Sequence, residues 1–208
     1  GFQVRFSSSH IHTPGDAPDV LVAMNPAALK VNIGDLKPGG MLLVNTGNFN
    51  EKDLQRAKYE SNPLDDASLQ EGYQVVGLDL NEATLQATAD SGLSKKDSLR
   101  SKNLLALGVL YWVYSRPLIT TENWLKKKFA EKPVILAANL AALKAGHAIA
   151  ENSELFQNQY QVHAAPMESG TYRSIMGNSA IALGMVAASR LSNLPLFLGS
   201  YPITPASD

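Results

Sequence analysis

The chain has 208 residues, of which 45% are hydrophobic and 18% charged, and its formal net charge is -1. This is a globular composition, without the excess of basic residues that a nucleic-acid surface requires. The sequence has no cysteine, so it offers no disulfide and no thiolate ligand for an iron–sulfur cluster. Its longest apolar stretch, residues 104–114, is far shorter than the roughly 20 residues of a membrane-spanning helix. Because the chain also begins without a basic and apolar leader, we predict a cytoplasmic protein with no nucleic-acid or membrane partner.

Apolar runs predict strands throughout the first half of the chain. FQVRFSS alternates apolar and polar residues as a half-buried strand does, whereas DVLVAM, MLLVNT and YQVVGLDL are continuous, as in parallel strands buried on both faces. These predicted strands cover residues 2–8, 19–24, 41–46 and 73–80. Helical segments follow the last three, beginning at Pro26 and after the predicted caps Asn50 and Asn81. Strands joined by helices form a parallel sheet with right-handed crossovers, so the predicted fold class is α/β, an open and mainly parallel sheet with flanking helices.

The middle of the chain is predicted to be helical. Residues 104–114 are apolar almost all round, and residues 134–149 are rich in alanine. Because a surface helix would show one polar face, we expect both helices to pack against another chain or against further domains of the same chain. A tightly packed monomer would explain the pattern equally well.

The last part of the chain, from residue 154 onward, differs from the helical middle in its sequence pattern. Residues 154–162 are predicted to be an edge strand or an extended arm, and residues 163–174 a linker, because they contain Pro and Gly and have no hydrophobic period. A helix capped by Asn178 and a strand at 194–200 then precede the loop YPITP, residues 201–205. Helix, strand and loop predict the start of a second α/β domain, whose loop lies at the carboxyl end of a strand, where parallel sheets bind ligands.

These motifs resemble a known family. GNSAIALGMVAA followed by GSYPITPASD is similar to the opening of the pyrimidine-type domain in the α subunit of 2-oxoacid:ferredoxin oxidoreductases, which are thiamine-diphosphate enzymes. GTYRSIMGN and APDVLVAMNPAAL resemble the fused form, as in 2-oxoglutarate oxidoreductase, in which a γ-type domain precedes the α domain. The resemblance implies that residues 1–165 form a Rossmann-like γ-type domain and that residues 166–208 form a linker and the first helix and strand of the pyrimidine-type domain. The Gly-rich turn that normally opens the γ-type domain is missing, so we expect an N-terminally incomplete fragment of a longer polypeptide.

The resemblance also implies an activity. It predicts oxidative decarboxylation of a 2-oxoacid to acyl-CoA and CO₂ with electrons passed to ferredoxin, and the fused arrangement favours 2-oxoglutarate over pyruvate or a branched-chain 2-oxoacid. Thiamine diphosphate and Mg²⁺ would be completed by a β subunit that also carries the iron–sulfur cluster, and coenzyme A would be the co-substrate. The fragment alone is predicted to be inactive. A non-catalytic Rossmann-like interaction domain is the alternative from another functional class.

The loop YPITP supplies the predicted catalytic group. Prolines fix the backbone on both sides of Thr204, so its hydroxyl is held at low entropy cost. The resemblance places this loop beside the reacting 2-oxoacid, with Tyr201, Pro202 and Ile203 as its other binding residues, and predicts a hydrogen bond from Thr204 to the substrate. The alternative is that Thr204 only caps a helix beginning at Pro205.

A second candidate site lies at the predicted carboxyl edge of the sheet. Asn25 follows one buried strand, and Asn45, Thr46 and Gly47 lie at the end of the next. Turns and caps explain these residue types, but the same residues would suit an anion or nucleotide crevice, which the resemblance associates with coenzyme A. No metal site is predicted, because the pair formed by His10 and His12 lacks a third ligand.

Overall fold

The structure is a computed structural model that describes residues 1–11, 13, 15–156, 159–173 and 175–201. Contacts along the chain divide it into two units, Gly1–Pro166 and Met167–Asp208. The sheet and most of the helices belong to the first unit, and one long helix belongs to the second.

A parallel sheet of three strands forms the centre of the first unit. The strands lie in the order β1-β2-β3, with bounds Val20–Ala23 for β1, Met41–Asn45 for β2 and Gln74–Leu78 for β3. In their register Val22 is opposite Leu43, which in turn is opposite Val76. β2 lies between the other two and every one of its residues is buried, which explains its continuous apolar run. The predicted open, parallel α/β sheet is confirmed.

Helices connect the strands and cover the sheet. Their bounds in the first unit are Pro26–Asn32 (α1), Glu51–Arg56 (α2), Ala67–Gly72 (α3), Leu80–Ala87 (α4), Lys95–Ser98 (α5), Lys102–Val113 (α6), Ile119–Lys128 (α7) and Pro133–Asn152 (α8). Short 3₁₀ turns lie at Ile33–Asp35, Thr46–Asn48, Pro63–Asp65, Ala89–Ser91 and Leu99–Ser101. Asn50 caps α2 as predicted, but Asp79 and not Asn81 caps α4. The carboxylate of Asp79 accepts from the backbone N–H groups of Asn81 and Glu82, which leaves the Asn81 side chain available for other contacts.

The side chains of β2 alternate between two cores, one on each face of the sheet. Met41 and Leu43 belong to the core that includes Val76, Leu80 and residues of α6 and α8. Leu42 and Val44 belong to the opposite core, with Leu29 of α1 and Leu36 after the first 3₁₀ turn. This division follows from the period of two along a strand. Burying one leucine side chain contributes about 1.5–3 kcal/mol, so β2 alone anchors both layers.

Helices α6 and α8 pack closely on each other through glycine. A Cβ atom at Gly108 would collide with the carbonyl oxygen of Leu143, and one at Gly146 would collide with the carbonyl oxygen of Leu105. By length and composition α8 could cross a membrane, but this contact buries much of one face within the first unit. Mutual packing therefore explains the buried faces of both helices, and the expectation that they also pack against another chain or further domains stays a prediction.

Two predicted strands are absent from the part of the chain that the structure describes. Residues 2–8 pair with no strand there, and Phe2 is 94% exposed; the Phe6 ring instead packs edge-on against Tyr114, with ring centroids 4.8 Å apart. Residues 194–200 also remain unpaired, although α9, Gly177–Ser192, precedes them as expected. A strand requires a hydrogen-bonded neighbour, and alternating or apolar sequence alone does not supply one. The predicted cap of α9 is likewise wrong, because the helix begins after Met176 and includes Asn178.

Of the segment predicted as an edge strand or an extended arm, residues 159–162 form no strand and lie against the end of α6. The backbone N–H of Tyr160 donates to the carbonyl oxygen of Val113 at 2.6 Å, and the side chain of Gln159 donates to the carbonyl oxygen of Trp112 at 2.7 Å. The rings of Tyr114 and Tyr160 stack with centroids 5.3 Å apart. Burial, the charge of Asp19 and the neighbouring Tyr160 raise the pKa of Tyr114 to about 12, so this hydroxyl stays neutral at physiological pH.

We predict that Gly146→Ala lowers the free energy of unfolding by about 1–3 kcal/mol, because the added methyl group must push α6 away from α8. Gly72→Ala is the control, since Gly72 lies at the end of α3 and no heavy atom lies within 4 Å of the position its Cβ would take. Denaturant unfolding of both variants measures the difference. Equal stability of the two variants would contradict the close helix contact.

Candidate functional site

The carboxyl ends of β1 and β2 bring Asn25 and residues 45–47 to one edge of the sheet, as the sequence predicts. Asn25 follows β1, is exposed and caps α1, its side-chain oxygen accepting from the backbone N–H of Ala28 at 2.8 Å. The cap uses only the oxygen of this amide. Its NH₂ group has no hydrogen-bond partner among the described residues and can donate to a ligand.

Asn45 has a different role, because its side chain is fully buried and bonded within the protein. Its oxygen accepts from the backbone N–H of Leu80 at 2.9 Å. Its NH₂ group lies 3.3 Å from the carbonyl oxygen of Met24 and 3.3 Å from the side-chain oxygen of Asn81. One amide thus joins the ends of β1 and β2 to the start of α4, and it shapes the edge without facing solvent.

Thr46 and Gly47 form the turn that leaves β2. Thr46 is exposed, and Gly47 lies so close to α4 that a Cβ atom would collide with the carboxylate of Asp79. Only glycine permits this approach of the turn to the capped end of α4. The exposed backbone of the turn therefore stays next to the strand end, where a ligand of a parallel sheet is expected.

A cleft of about 260 Å³ opens beside this edge, between α1 and α2. It is lined by Asn25, Pro26, Ala27, Asn48, Asp53 and Arg56. The Arg56 side chain is 68% exposed, and its guanidinium group lies 3.4 Å from the carboxylate of Asp53, one turn earlier on the helix. An exposed guanidinium group and an amide NH₂ group that line the same cleft can together bind a phosphate or a carboxylate. Sequence reasoning missed Arg56, although the cap at Asn50 and the helical spacing were visible signals that α2 would return toward the edge.

Lys102 and Asn81 form the second feature that the sequence did not reveal. The Nζ atom of Lys102, the first residue of α6, donates to the side-chain oxygen of Asn81 at 2.8 Å. The NH₂ group of Asn81 donates in turn to the side-chain oxygen of Asn48 at 2.7 Å. Partial burial lowers the pKa of Lys102, and the charge of Asp79 opposes this shift. No local pattern in the sequence connects these residues, which lie on different elements.

The predicted catalytic loop lies almost wholly outside the described residues. Tyr201 is described and its side chain is 77% exposed, whereas Pro202, Ile203 and Thr204 are not described. The role of Thr204 stays a prediction. Among the residues that the structure describes, no group of three or more histidine or acidic side chains could hold a metal ion.

The family model for pyruvate ferredoxin/flavodoxin oxidoreductase matches residues 1–149. The chain is 49% identical over 207 residues to 2-oxoglutarate oxidoreductase subunit KorA of Mycobacterium tuberculosis, covering 100% of this chain and 32% of that protein. It therefore spans about a third of the length of this curated relative.

A solved structure also aligns with the chain. It is 2-oxoglutarate:ferredoxin oxidoreductase from Magnetococcus marinus with 2-oxoglutarate, coenzyme A and succinyl-CoA bound, and the alignment has a TM-score of 0.66 and 27% sequence identity. It covers 96% of this chain and 30% of that one. The likeness thus extends over nearly the whole of the present chain.

We predict that Asn45→Ala destabilises the protein by about 1–3 kcal/mol, because it leaves the buried N–H of Leu80 without an acceptor. Thr46→Ala serves as the control, since the neighbouring Thr46 is exposed and its truncation removes no buried partner. Thermal unfolding of both variants measures the effect. Similar midpoints for the two would show that Asn45 does not hold the edge together.

Proposed function

Because the chain belongs to the pyruvate ferredoxin/flavodoxin oxidoreductase family, we propose that it is part of a subunit of a 2-oxoglutarate:ferredoxin oxidoreductase. The complete enzyme would convert 2-oxoglutarate and coenzyme A to succinyl-CoA and CO₂ and pass two electrons to ferredoxin in the cytoplasm. The observation that carries this proposal is 49% identity over the whole chain to a 2-oxoglutarate oxidoreductase subunit. The family model is named for pyruvate, so pyruvate is the competing substrate.

The domain assignment forms part of the proposal. We assign residues 1–165 to the γ-type domain and residues 166–208 to a linker and the start of the pyrimidine-type α domain. The division of the chain into units at Pro166 and Met167 supports this boundary, and so does the match of the family model to residues 1–149. The helix α9, followed by the YPITP loop, supports the assignment of the second part.

The chain's own residues do not fit the redox groups of such an enzyme. The sequence has no cysteine to ligate an iron–sulfur cluster, and the described residues contain no metal-binding group for the Mg²⁺ that accompanies thiamine diphosphate. We therefore assign thiamine diphosphate, Mg²⁺ and the cluster to a site completed by a partner β subunit, with ferredoxin as the electron acceptor. Thiamine diphosphate supplies the electron sink for decarboxylation when it is bound.

The cleft between α1 and α2 is the part of the proposed coenzyme A site that this chain supplies. Arg56 would bind an anionic group of coenzyme A, the NH₂ group of Asn25 would donate a second hydrogen bond, and the turn at Thr46 and Gly47 would flank them. Asn45 would support these residues from below without touching the ligand. The exposed guanidinium group and the cleft that it lines support this arrangement.

Turnover of the complete complex tests the proposed reaction. With coenzyme A and a low-potential dye as electron acceptor, we expect reduction with 2-oxoglutarate and much slower reduction with pyruvate or a branched-chain 2-oxoacid. The 208-residue chain alone should give no turnover, because it has no cysteine for an electron carrier. Preference for pyruvate would contradict the proposed substrate, and turnover by the isolated chain would contradict the assignment of the redox groups to a partner.

Arg56→Ala should raise the KM for coenzyme A by roughly 10- to 150-fold, the range expected for the loss of a hydrogen bond to a charged group. The KM for the 2-oxoacid should remain unchanged, because the cleft is proposed to bind only coenzyme A. Arg100→Ala is a matched control, since Arg100 is also highly exposed and is also paired with an aspartate at i,i+3. If both variants give the same KM for coenzyme A, the cleft is not its site.

Thr204→Val should lower kcat/KM for the 2-oxoacid by roughly 10- to 150-fold while the fold remains intact, because the substrate loses a hydrogen bond to its carboxylate or carbonyl oxygen. Thr204→Ser, which keeps the hydroxyl, should retain most of the activity. The capping alternative predicts a lower melting temperature for Thr204→Val and little kinetic change. Steady-state kinetics and thermal unfolding of the complete complex separate the two.

A further inference from the structure

A directed chain of hydrogen bonds crosses the first unit behind the cleft. It begins at the Nζ atom of Lys102, passes through the side-chain amides of Asn81 and Asn48, and ends at the carbonyl oxygen of Met24. The three links measure 2.8, 2.7 and 2.9 Å, which are good hydrogen-bond lengths. This hydrogen-bond relay connects α6, α4, the turn after β2 and the end of β1.

Chemistry fixes the direction of every link. A lysine ammonium group only donates and a backbone carbonyl group only accepts, so neither end of the relay can reverse its hydrogen bond. Asn81 must present its oxygen to Lys102 and its NH₂ group to Asn48, and Asn48 must then present its NH₂ group to Met24. Reversing either amide would bring two oxygens or two NH₂ groups together.

Asn45 supports the same orientation from a second side. Its oxygen is committed to the backbone N–H of Leu80, so its NH₂ group faces the side-chain oxygen of Asn81 and the carbonyl oxygen of Met24. The oxygen of Asn81 therefore lies between two donors, the Lys102 ammonium and the Asn45 amide. Without Lys102, the Asn45 amide at 3.3 Å would be the one remaining donor to the side-chain oxygen of Asn81 among the described residues, while the bond from the Asn81 NH₂ group to Asn48 would persist.

We propose that Lys102 is a positioning residue, which anchors the donor end of this hydrogen-bond relay and, together with the fixed acceptor at Met24, holds Asn48 and the turn Thr46–Asn48 against the cleft. Asn48 is the link, because it belongs to the relay and also lines the cleft. Lys102 itself is not among the residues that line it. The functional part of this inference rests on the proposed binding of coenzyme A in the cleft.

The alternative is that Lys102 only anchors the start of α6 to α4. Asn81→Asp separates the two roles. An aspartate still accepts from Lys102, with the added attraction of its charge, so the anchor remains. It has no NH₂ group for Asn48, so the relay is broken at the next link.

The test compares Lys102→Met, Lys102→Arg and Asn81→Asp in the complete complex, with Lys95→Met as the control because Lys95 is an exposed lysine of α5. Two readouts are needed: the KM values for coenzyme A and for 2-oxoglutarate, and hydrogen exchange of the backbone amides of Phe49 and Leu80, measured by mass spectrometry. Phe49 N–H closes the turn and Leu80 N–H bonds to Asn45.

The proposal predicts that Lys102→Met and Asn81→Asp both speed exchange at the two amides and raise the KM for coenzyme A by roughly 5- to 30-fold, the range of a 1–2 kcal/mol loss. The KM for 2-oxoglutarate should not change. Lys102→Arg keeps a donor, so its exchange rates and its KM for coenzyme A should equal those of the wild type. Lys95→Met should also match the wild type. If Lys102→Met fails to fold, Asn81→Asp and Lys102→Arg still decide the matter.

Wild-type exchange and wild-type KM in Asn81→Asp would overturn the relay and leave Lys102 as an anchor. Faster exchange with an unchanged KM for coenzyme A has two meanings, which Arg56→Ala distinguishes. If Arg56→Ala raises that KM, the cleft binds coenzyme A and the positioning role is refuted. If Arg56→Ala also leaves it unchanged, the relay stands and the proposed coenzyme A site is wrong.

Discussion

The buried amide of Asn45 is the interaction on which the rest of the sheet edge depends. β2 carries both cores of the first unit, and Asn45 is its last residue, where the backbone must leave the sheet. Its side chain satisfies the N–H of Leu80 and approaches the carbonyl oxygen of Met24, so a single group fixes β1, β2 and α4 together. Burying a polar group destabilises the fold unless the group is hydrogen-bonded. Here the hydrogen bonds of Asn45 favour one arrangement of the strand ends and α4.

From this edge the candidate site follows by geometry. Gly47 lets the turn after β2 approach Asp79. The same turn places Asn48 in the wall of the cleft. On the other wall, α2 holds Arg56 where its charge is partly balanced by Asp53 and still exposed to solvent. Helices α6 and α8, which pack on each other through Gly108 and Gly146, cover one face of the sheet. The candidate site thus consists of exposed polar groups at the end of a buried sheet.

The sequence predicted the sheet and one edge of the site well, because both depend on local patterns. The run MLLVNT is apolar since both faces of β2 are buried, and the asparagines after the strands mark where the sheet ends. The contacts of Lys102 with Asn81, and of Gly108 with α8, join residues far apart in sequence, and no local pattern encodes them. Residues 2–8 show the opposite error, because a strand-like pattern without a pairing neighbour among the described residues forms no strand.

We propose that this chain contributes the cleft between α1 and α2 to the coenzyme A site of a 2-oxoacid oxidoreductase. The most direct measurement is an experimental structure of the complete complex with coenzyme A bound. We expect an anionic group of coenzyme A within hydrogen-bond distance of the Arg56 guanidinium group, with the NH₂ group of Asn25 as a second donor. Fully occupied coenzyme A that leaves this cleft to solvent would contradict it.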